Sequence, residues 1–371
     1  MAKVLIVGAL AKSLYNFRGE LIKSLVAAGH EVVAMAEYTD TVTRNRIEGL
    51  GVSFREYPVQ RNSMNPRYDF ATFIALNSAL KDINPQILLA YTIKPVVWGG
   101  LAALINRVPF FYALIEGAGY AFQDTSWRRK FVRIIASFLY KVSLYKATKV
   151  IFLNHDNLNH FIQLGLVKKS RTEIIDGIGL DLDWYRLYRI PATGFCFLCI
   201  ARLLGEKGLR EFASAASLVK VKYPDTVFSL VGQIDPSPDG IPLDEVAKWE
   251  ESGAVNYVGS LDDVRPAIKI CHVYVLPSYH EGMPRTIMEA MAMGRPILTT
   301  DVPGCRETVV HGKNGYLVPA KNVYELSNRM MWFIENRNML DQMGLRSRQI
   351  AEERFDVTKI NADMMRIMGL E

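Results

Sequence analysis

The sequence lacks long hydrophobic runs and low-complexity tracts. No apolar run in its 371 residues reaches the ~18 residues that a membrane-spanning helix needs. Residues 1–8 hold too short an apolar stretch for a signal peptide and instead predict a first buried strand. Half of the residues are hydrophobic and 22% are charged, which excludes a disordered or fibrous protein. The length suits two domains of ordinary size.

Cysteine is scarce, with Cys196, Cys199, Cys271 and Cys305 as the four residues of this type. Cys196 and Cys199 form a CxxC pair, which can mark a redox or zinc site. They lie in an apolar stretch that predicts a strand, where a separation of three places the two side chains on opposite faces. No second CxxC or His pair follows at zinc spacing. We therefore expect reduced cysteines in a cytoplasmic protein, with no metal and no cofactor.

Short apolar runs alternate with helical spacing along both halves of the chain. Predicted strands lie at 4–7, 31–35, 52–57, 87–90, 110–114 and 149–153, and again at 195–200, 227–231, 255–258, 273–276 and 297–299. Predicted helices lie at 18–28, 70–83, 96–106 and 127–145, and again at 211–223, 243–251, 264–270 and 285–293. This alternation predicts two doubly wound α/β domains with parallel sheets. Ligands of such sheets bind at the carboxyl ends of the strands.

The segment 278–290 carries the most specific chemistry in the sequence. It begins where a predicted strand ends and passes through a Gly-Pro turn into a helix. Gly282 lets the backbone approach a ligand, and Pro284 favours the first helical turn, whose free N–H groups can bind phosphate. Glu281 precedes the helix, and Glu289 lies inside it, where a carboxylate can accept hydrogen bonds from a ribose. A strand–turn–helix with acidic residues is also a common structural unit, and the pattern alone leaves both interpretations open.

Glu281 and Glu289 have seven residues between them and, with the stretch 290–296, resemble the signature of family 4 glycosyltransferases. The resemblance continues through 300–307 and 311–319 and covers nearly the whole second domain. Members of this family are retaining, metal-independent enzymes of the GT-B fold, an α/β architecture of two Rossmann-like doubly wound domains that face each other across a cleft.

The resemblance implies that the two domains bind different substrates. Residues 1–176, with a returning C-terminal helix at 355–371, would form the acceptor-binding domain. Residues 190–354 would bind the nucleotide sugar, and 177–189 would be the connector. The acidic pair Asp181 and Asp183 resembles a metal-binding motif of another glycosyltransferase class, but we expect it to be structural.

Two cations, Arg202 and Lys207, follow the first predicted strand of the second domain. Such residues usually lie solvated on a basic loop. The resemblance implies instead that they bind the donor diphosphate, where Arg forms paired hydrogen bonds and Lys adds a point charge. They would stabilise the leaving nucleoside diphosphate in place of a metal. Glu289 would hold the ribose, and Glu281 the sugar hydroxyls. The donor-binding set so implied is Gly8, Arg202, Lys207, Gly232, Glu281, Gly282, Met283, Pro284, Arg285 and Glu289.

The stretch 115–122 departs from most family members, which carry a histidine there that touches the donor sugar. Its pattern Ile-Glu-Gly-x-Gly-Tyr-x-Phe resembles a subgroup that acts on polyprenyl-diphosphate-linked sugars, such as the N-acetylgalactosaminyltransferases of bacterial glycan assembly. Glu116 either orients a sugar hydroxyl or caps a helix. The predicted catalytic set is Glu281, Arg202, Lys207 and Glu116.

The net charge is +6, and a one-signed basic segment, 127–149, contributes to it. Its basic residues are Arg128, Arg129, Lys130, Arg133, Lys141, Lys146 and Lys149, with no acidic residue among them. Apolar residues at helical spacing predict that one face packs on the sheet. The charge favours an anionic membrane surface, at ~1 kcal/mol per Lys or Arg. We expect peripheral association with the cytoplasmic face of a membrane and no binding of nucleic acid.

The sequence therefore predicts a retaining glycosyltransferase. It would move a sugar, an N-acetylhexosamine or a hexose, from a UDP-sugar to a lipid-linked saccharide acceptor in bacterial glycan assembly. A UDP-sugar epimerase of the same architecture and a basic nucleic-acid-binding protein remain as alternatives.

Overall fold

The chain divides into two compact units in a computed structural model that describes residues 1–60, 65–117 and 127–371, with the backbone alone over 127–132. One unit is Met1–Ile178 together with Thr358–Glu371, and the other is Gly179–Val357. Each unit is built on its own parallel sheet. Among the residues described, no helix is long and apolar enough to cross a membrane.

The first unit contains a seven-stranded parallel sheet with helices between its strands. Its strands are β1 (Lys3–Val7), β2 (Glu31–Ala36), β3 (Ser53–Glu56), β4 (Ile87–Tyr91), β5 (Phe110–Ile115), β6 (Lys149–Phe152) and β7 (Thr172–Ile174). The helices that follow in this part of the chain are α1 (Ala11–Asn16), α2 (Gly19–Ala27), α3 (Thr41–Glu48), α4 (Pro66–Ile83), α5 (Ile93–Ile105), α6 (Trp127–Ser143) and α7 (His155–Gln163). The strand order is β3-β2-β1-β4-β5-β6-β7. The central strands β1 and β4 are apolar apart from Lys3 and Tyr91 at their ends, because both faces of the sheet are covered.

The second unit contains a six-stranded parallel sheet of the same kind. Its strands are β8 (Cys196–Ile200), β9 (Val227–Val231), β10 (Asn256–Gly259), β11 (Val273–Leu276), β12 (Ile297–Thr300) and β13 (Gly315–Val318). The later helices are α8 (Leu209–Lys222), α9 (Leu243–Glu251), α10 (Arg265–Ile270), α11 (Arg285–Ala292), α12 (Val323–Glu335), α13 (Leu340–Arg354) and α14 (Val357–Met368). The order is β10-β9-β8-β11-β12-β13.

The chain returns to the first unit at Thr358, on α14. The Tyr112 hydroxyl of β5 donates a hydrogen bond to the Met368 carbonyl at 3.2 Å. The apolar side of α14 is buried through Ile360 and Met364. The C-terminal helix α14 is thus held to the first unit by packing as well as by a hydrogen bond.

Residues 179–189 differ from the expected separate connector, because they belong to the second unit. The fully buried guanidinium of Arg295 holds them by donating to the carbonyls of Tyr188 at 2.5 Å and Arg189 at 3.2 Å. It also donates to the Cys271 carbonyl at 3.0 Å. Arg295 therefore joins the segment 179–189, called the entry segment below, to the core of the second unit.

Helix α6 exposes part of the apolar stripe that was expected to pack on the sheet. Ile134 and Phe138 are each 65% exposed, whereas Tyr140 and Leu144 are buried. The expectation was wrong for Ile134 and Phe138, because the helix buries a different face, which includes Tyr140 and Ser143. The side chains of Arg128, Arg129 and Lys130 lie outside the described residues.

Replacing Arg295 with Met should lower the free energy of unfolding by about 3 kcal/mol, because the buried carbonyl of Cys271 and the part-buried carbonyls of Tyr188 and Arg189 lose a charged donor. Urea denaturation followed by circular dichroism measures the change. Arg366→Met is the control, since Arg366 pairs with Asp363 at 2.8 Å on an exposed helix face, and such a pair contributes roughly 0–1 kcal/mol. Equal effects of the two substitutions would show that Arg295 does not secure the entry segment.

Candidate active site

The second sheet has a switch point between β8 and β11. The chain leaves β8 toward β9 on one side and leaves β11 toward β12 on the other. Ligands of open α/β sheets bind beyond the carboxyl ends of the strands at such a point. The predicted donor residues of this unit all follow β8, β9 or β11, so the topology brings them to one edge.

An ion pair joins the loops that follow these two strands. Lys207 Nζ donates to Glu281 Oε1 at 2.7 Å, and the two side chains are only 13% and 15% exposed. Burial works against the charge on Lys207, but the Glu281 carboxylate outweighs it and raises the pKa of Lys207 above its usual value. Lys207 is therefore a cation at neutral pH, as the binding of a diphosphate requires.

Arg202 forms a second ion pair, with Asp235. Burial opposes ionisation of Asp235, but hydrogen bonds from Ser237 and the charge of Arg202 outweigh it and lower the pKa of this carboxyl. The Arg202 side chain remains 32% exposed, so part of it is accessible to a ligand. Asp235 was missed by the sequence reasoning because no local pattern links it to an arginine 33 positions earlier.

Glu289 is nearly buried on α11 and receives two hydrogen bonds on one oxygen. Tyr185 Oη and Arg285 Nε each donate to Glu289 Oε1 at 2.8 Å. Burial and the Glu289 charge raise the pKa of Tyr185, so its hydroxyl stays protonated and remains a donor. Pro284 lies at the N-cap, immediately before the helix, rather than inside its first turn. Tyr185 was also missed, since the sequence placed it in the connector.

Gly282 and Met283 form the short turn between the two carboxylates, and Met283 is 9% exposed. A glycine on the neighbouring loop keeps this turn in place. Gly304 adopts a φ of +84°, and a Cβ there would lie 2.5 Å from the Glu281 carbonyl oxygen. Glu281 N in turn donates to the Pro303 carbonyl at 3.1 Å. The position of Glu281 thus depends on the absence of a side chain at 304.

Gly8 and Gly232, predicted to bind the donor, have structural reasons to be glycine. A Cβ at Gly232 would lie 1.8 Å from the Ala201 carbonyl oxygen, and one at Gly8 would lie 2.2 Å from the Tyr91 hydroxyl oxygen. Gly8 follows β1 in the first unit, and Gly232 follows β9 in the second. Their contacts with a donor stay a prediction.

Asp181 has a structural role, as expected. Its Oδ1 accepts hydrogen bonds from the backbone N–H groups of Asp183 and Trp184, both at 2.9 Å, which caps a turn. Within the described part of the chain, no group of three or more His, Cys, Asp or Glu side chains is placed to hold a metal ion. The four cysteines are free thiols.

Glu116 follows β5 in the first unit and forms an ion pair with Arg18. The remainder of its predicted motif, residues 118–122, lies outside the described residues. The structure therefore places Glu116 and Gly8 at the carboxyl edge of the first sheet, and the other predicted residues at the same edge of the second.

Comparisons with known proteins agree with this arrangement. The family described as "Glycosyl transferases group 1" matches residues 186–350, and the "Glycosyl transferase 4-like domain" matches residues 17–176. The chain is 31% identical over 343 residues to the N,N'-diacetylbacillosaminyl-diphospho-undecaprenol alpha-1,3-N-acetylgalactosaminyltransferase of Campylobacter jejuni, covering 88% of each chain. It is 24% identical to the UDP-Gal:alpha-D-GlcNAc-diphosphoundecaprenol alpha-1,3-galactosyltransferase of Escherichia coli, over 78% of this chain and 77% of that one.

Solved structures share the fold over the whole length. A crystal structure of Anabaena HepE in complex with UDP and glucose superposes with a TM-score of 0.78 at 19% identity, covering 100% of both chains. Sucrose-phosphate synthase from Thermosynechococcus elongatus gives a TM-score of 0.78 at 17% identity, over 99% of this chain and 98% of that one.

The chain therefore belongs to the family 4 glycosyltransferases, and it is an enzyme that transfers sugars. The predicted family, the GT-B fold class and the enzyme class are confirmed.

Replacing Gly304 with Ala should displace Glu281 and weaken binding of UDP about tenfold, because the new Cβ meets the Glu281 carbonyl oxygen. Isothermal titration calorimetry with UDP measures this loss. Gly312→Ala is a matched control, since Gly312 has a φ of +75° with no atom within 4 Å of the added Cβ. Equal losses in both variants would mean that left-handed backbone strain, and not the contact with Glu281, causes the effect.

Proposed function

We propose that this enzyme transfers an N-acetylhexosamine or a hexose from a UDP-sugar to an undecaprenyl-diphosphate-linked saccharide, with retention of anomeric configuration. The observation that carries the proposal is the cluster at the switch point of the second sheet. There two cations, a helix start and two carboxylates converge. The acceptor is inferred from the Campylobacter and Escherichia relatives, whose names state diphospho-undecaprenol substrates.

The two cations bind the donor diphosphate and stabilise the charge that develops on UDP as it leaves. In the structure, Lys207 is held by Glu281 and Arg202 by Asp235. The diphosphate takes over part of these contacts and thereby frees the Glu281 carboxylate for sugar hydroxyls. Fixed cations of this kind supply the transition-state stabilisation that a metal provides in other enzymes, so we propose a metal-independent reaction.

Glu289 accepts hydrogen bonds from the ribose hydroxyls of the donor. Its Oε1 already accepts from Tyr185 and Arg285, which fixes the carboxylate in one orientation. The donor then needs no side-chain reorganisation at this point, and preorganisation of this kind favours affinity. The leaving phosphate assists removal of the proton from the acceptor hydroxyl on the same face, and we name no protein side chain as general base.

An exposed stripe on α6 supports docking to an anionic membrane, where a lipid-linked acceptor is located. Ile134 and Phe138 on α6, and Tyr145 just after its end, are exposed apolar or aromatic side chains, at 65%, 65% and 68%. Lys141 and Lys146 are exposed beside them. An apolar stripe bordered by cations is the composition of helices that lie in the lipid headgroup region. The proposed partner is the cytoplasmic face of the membrane.

Replacing Glu289 with Gln, or Lys207 with Met, should lower kcat/KM for the donor at least about 100-fold, because each removes a charge that contacts the donor. Mass spectrometry of the lipid-linked product, with a panel of UDP-sugars, measures transfer. Glu335→Gln is the control, since Glu335 pairs with Lys222 on the exposed surface. Wild-type rates in the first two variants would refute the donor site. Epimerised UDP-sugar formed without acceptor would instead favour an epimerase.

Replacing both Ile134 and Phe138 with Ser should weaken binding to anionic vesicles about tenfold, because each exposed side chain loses apolar area that lipid would bury. Vesicle sedimentation at two salt concentrations measures the affinity. Val42→Ser is the matched control, since Val42 is 64% exposed on α3 of the same unit. An unchanged affinity in the double variant would remove α6 as the docking surface.

A further inference from the structure

The first sheet has its own switch point, between β1 and β4. The chain leaves β1 toward β2 and leaves β4 toward β5, in the opposite direction. Three residues from different elements meet at this edge. Tyr91 ends β4, Glu116 follows β5, and Arg18 is the N-cap residue of α2. The edge is where a parallel α/β sheet binds its ligand.

Arg18 is held in place by aromatic and ionic contacts. It is 3% exposed, and its guanidinium lies over the Tyr91 ring, 4.7 Å from the centroid. Its Nη2 donates to Glu116 Oε1. Among the residues described, its Nε has no hydrogen-bond partner. Burying an arginine with an unused donor costs free energy. A role for Arg18 in ligand binding at this edge would account for that cost.

Tyr91, whose ring lies against the Arg18 guanidinium, is itself held by a hydrogen bond. The Ser13 hydroxyl donates its one proton to the Leu10 carbonyl at 2.5 Å. In the 2.7 Å contact between Ser13 Oγ and Tyr91 Oη, the tyrosine must therefore be the donor. Burial raises the pKa of Tyr91, so the proton stays on that hydroxyl. The bond holds the hydroxyl end of Tyr91, so the ring cannot swing away from Arg18 without breaking it.

The exposure of the Arg18–Glu116 pair is asymmetric. The side chain of Arg18 is 4% exposed, whereas that of Glu116 is 29% exposed. Burying the carboxylate as well would add a second desolvation cost. The guanidinium is enclosed and donates to Oε1, while the Glu116 side chain keeps part of its surface accessible.

We propose that Arg18 is a positioning residue that fixes Glu116 through Oε1, so that the second carboxylate oxygen accepts a hydrogen bond from a hydroxyl of the acceptor saccharide. This inference rests on the proposed function, in which the first unit receives the acceptor. Arg18 acts through Glu116 and touches no reacting atom. The sequence resemblance assigns no role to Arg18.

A double-mutant cycle tests the coupling between the two residues. Arg18→Gln and Glu116→Gln should each lower kcat/KM for the lipid-linked acceptor on the order of 30-fold, the effect of losing one charged hydrogen bond. The KM for the UDP-sugar should stay within about twofold, since the charged groups proposed to bind the donor, Arg202, Lys207 and Glu289, lie in the other unit. The double variant should be no worse than the poorer single variant, because the second change removes an interaction that is already lost.

Arg44→Gln is the matched control. Arg44 also pairs with a glutamate, Glu56 at 2.9 Å, and lies over the Phe54 ring at 5.2 Å. It belongs to the same unit but lies on α3, beside the edge strand β3. This variant should keep the acceptor kcat/KM within about twofold of wild type.

Additive losses in the cycle, or equal losses for donor and acceptor, would overturn the positioning role and leave Arg18 as a structural residue. Arg18→Lys replaces Arg18→Gln in the cycle if the glutamine variant does not fold, as judged from its thermal midpoint. Its expected loss is smaller, because lysine keeps the charge but not the fork. If the wild-type enzyme transfers no sugar to a lipid-linked saccharide, the proposed function fails. If it does transfer and the cycle is additive, only the inference on Arg18 fails.

Discussion

The parallel pairing of β8 with β11 is the constraint on which the donor site depends. Val273 lies opposite Phe197 and Tyr274 opposite Leu198, so the two strands end side by side although more than seventy residues separate them. Their loops then touch directly. Gly208 has a φ of +69° and lies directly against Pro277. A Cβ at Gly208 would be 2.0 Å from the Pro277 carbonyl oxygen. The Tyr279 N–H donates to the Glu206 carbonyl at 2.8 Å. A change that separated these strands would separate Lys207 from Glu281 and dismantle the site.

In the second unit, each of the two cations forms an ion pair with a carboxylate of the same unit. Lys207 is paired with Glu281, and Arg202 with Asp235. Two cations at one edge would otherwise repel each other, and desolvating them without partners would cost several kcal/mol. Under the proposed function, a diphosphate can replace carboxylate partners because it brings equivalent charge and geometry. The same arrangement therefore stabilises the two cations within the protein and, under the proposed function, favours a dianionic group.

The two units use the carboxyl edge of a parallel sheet in opposite ways. In the second unit a carboxylate holds a cation that is proposed to bind the donor. In the first, a buried cation holds the Glu116 carboxylate, which the inference above assigns to the acceptor. Both arrangements follow from one topology, since a switch point brings together loops that have no sequence relation. The accessible member differs between the two edges: Arg202 is 32% exposed against 6% for Asp235, whereas Glu116 is 29% exposed against 4% for Arg18.

The sequence by itself determined the alternation of strands and helices and the donor motif. Apolar runs such as β1 and β11 are readable because burial on both faces requires them, and the motif from Glu281 to Glu289 is contiguous. Several elements were not predicted: the short α1, β7 and β13, and the helices α3 and α7. Partners far apart in sequence were equally invisible: Tyr185 with Glu289, and Arg18 with Glu116, are separated by 104 and 98 positions. The exposed stripe of α6 shows a further limit, because helical spacing is the same for a buried and an exposed apolar face. Only the tertiary structure decided these points, since a side chain's partner and its exposure depend on which distant segments pack around it.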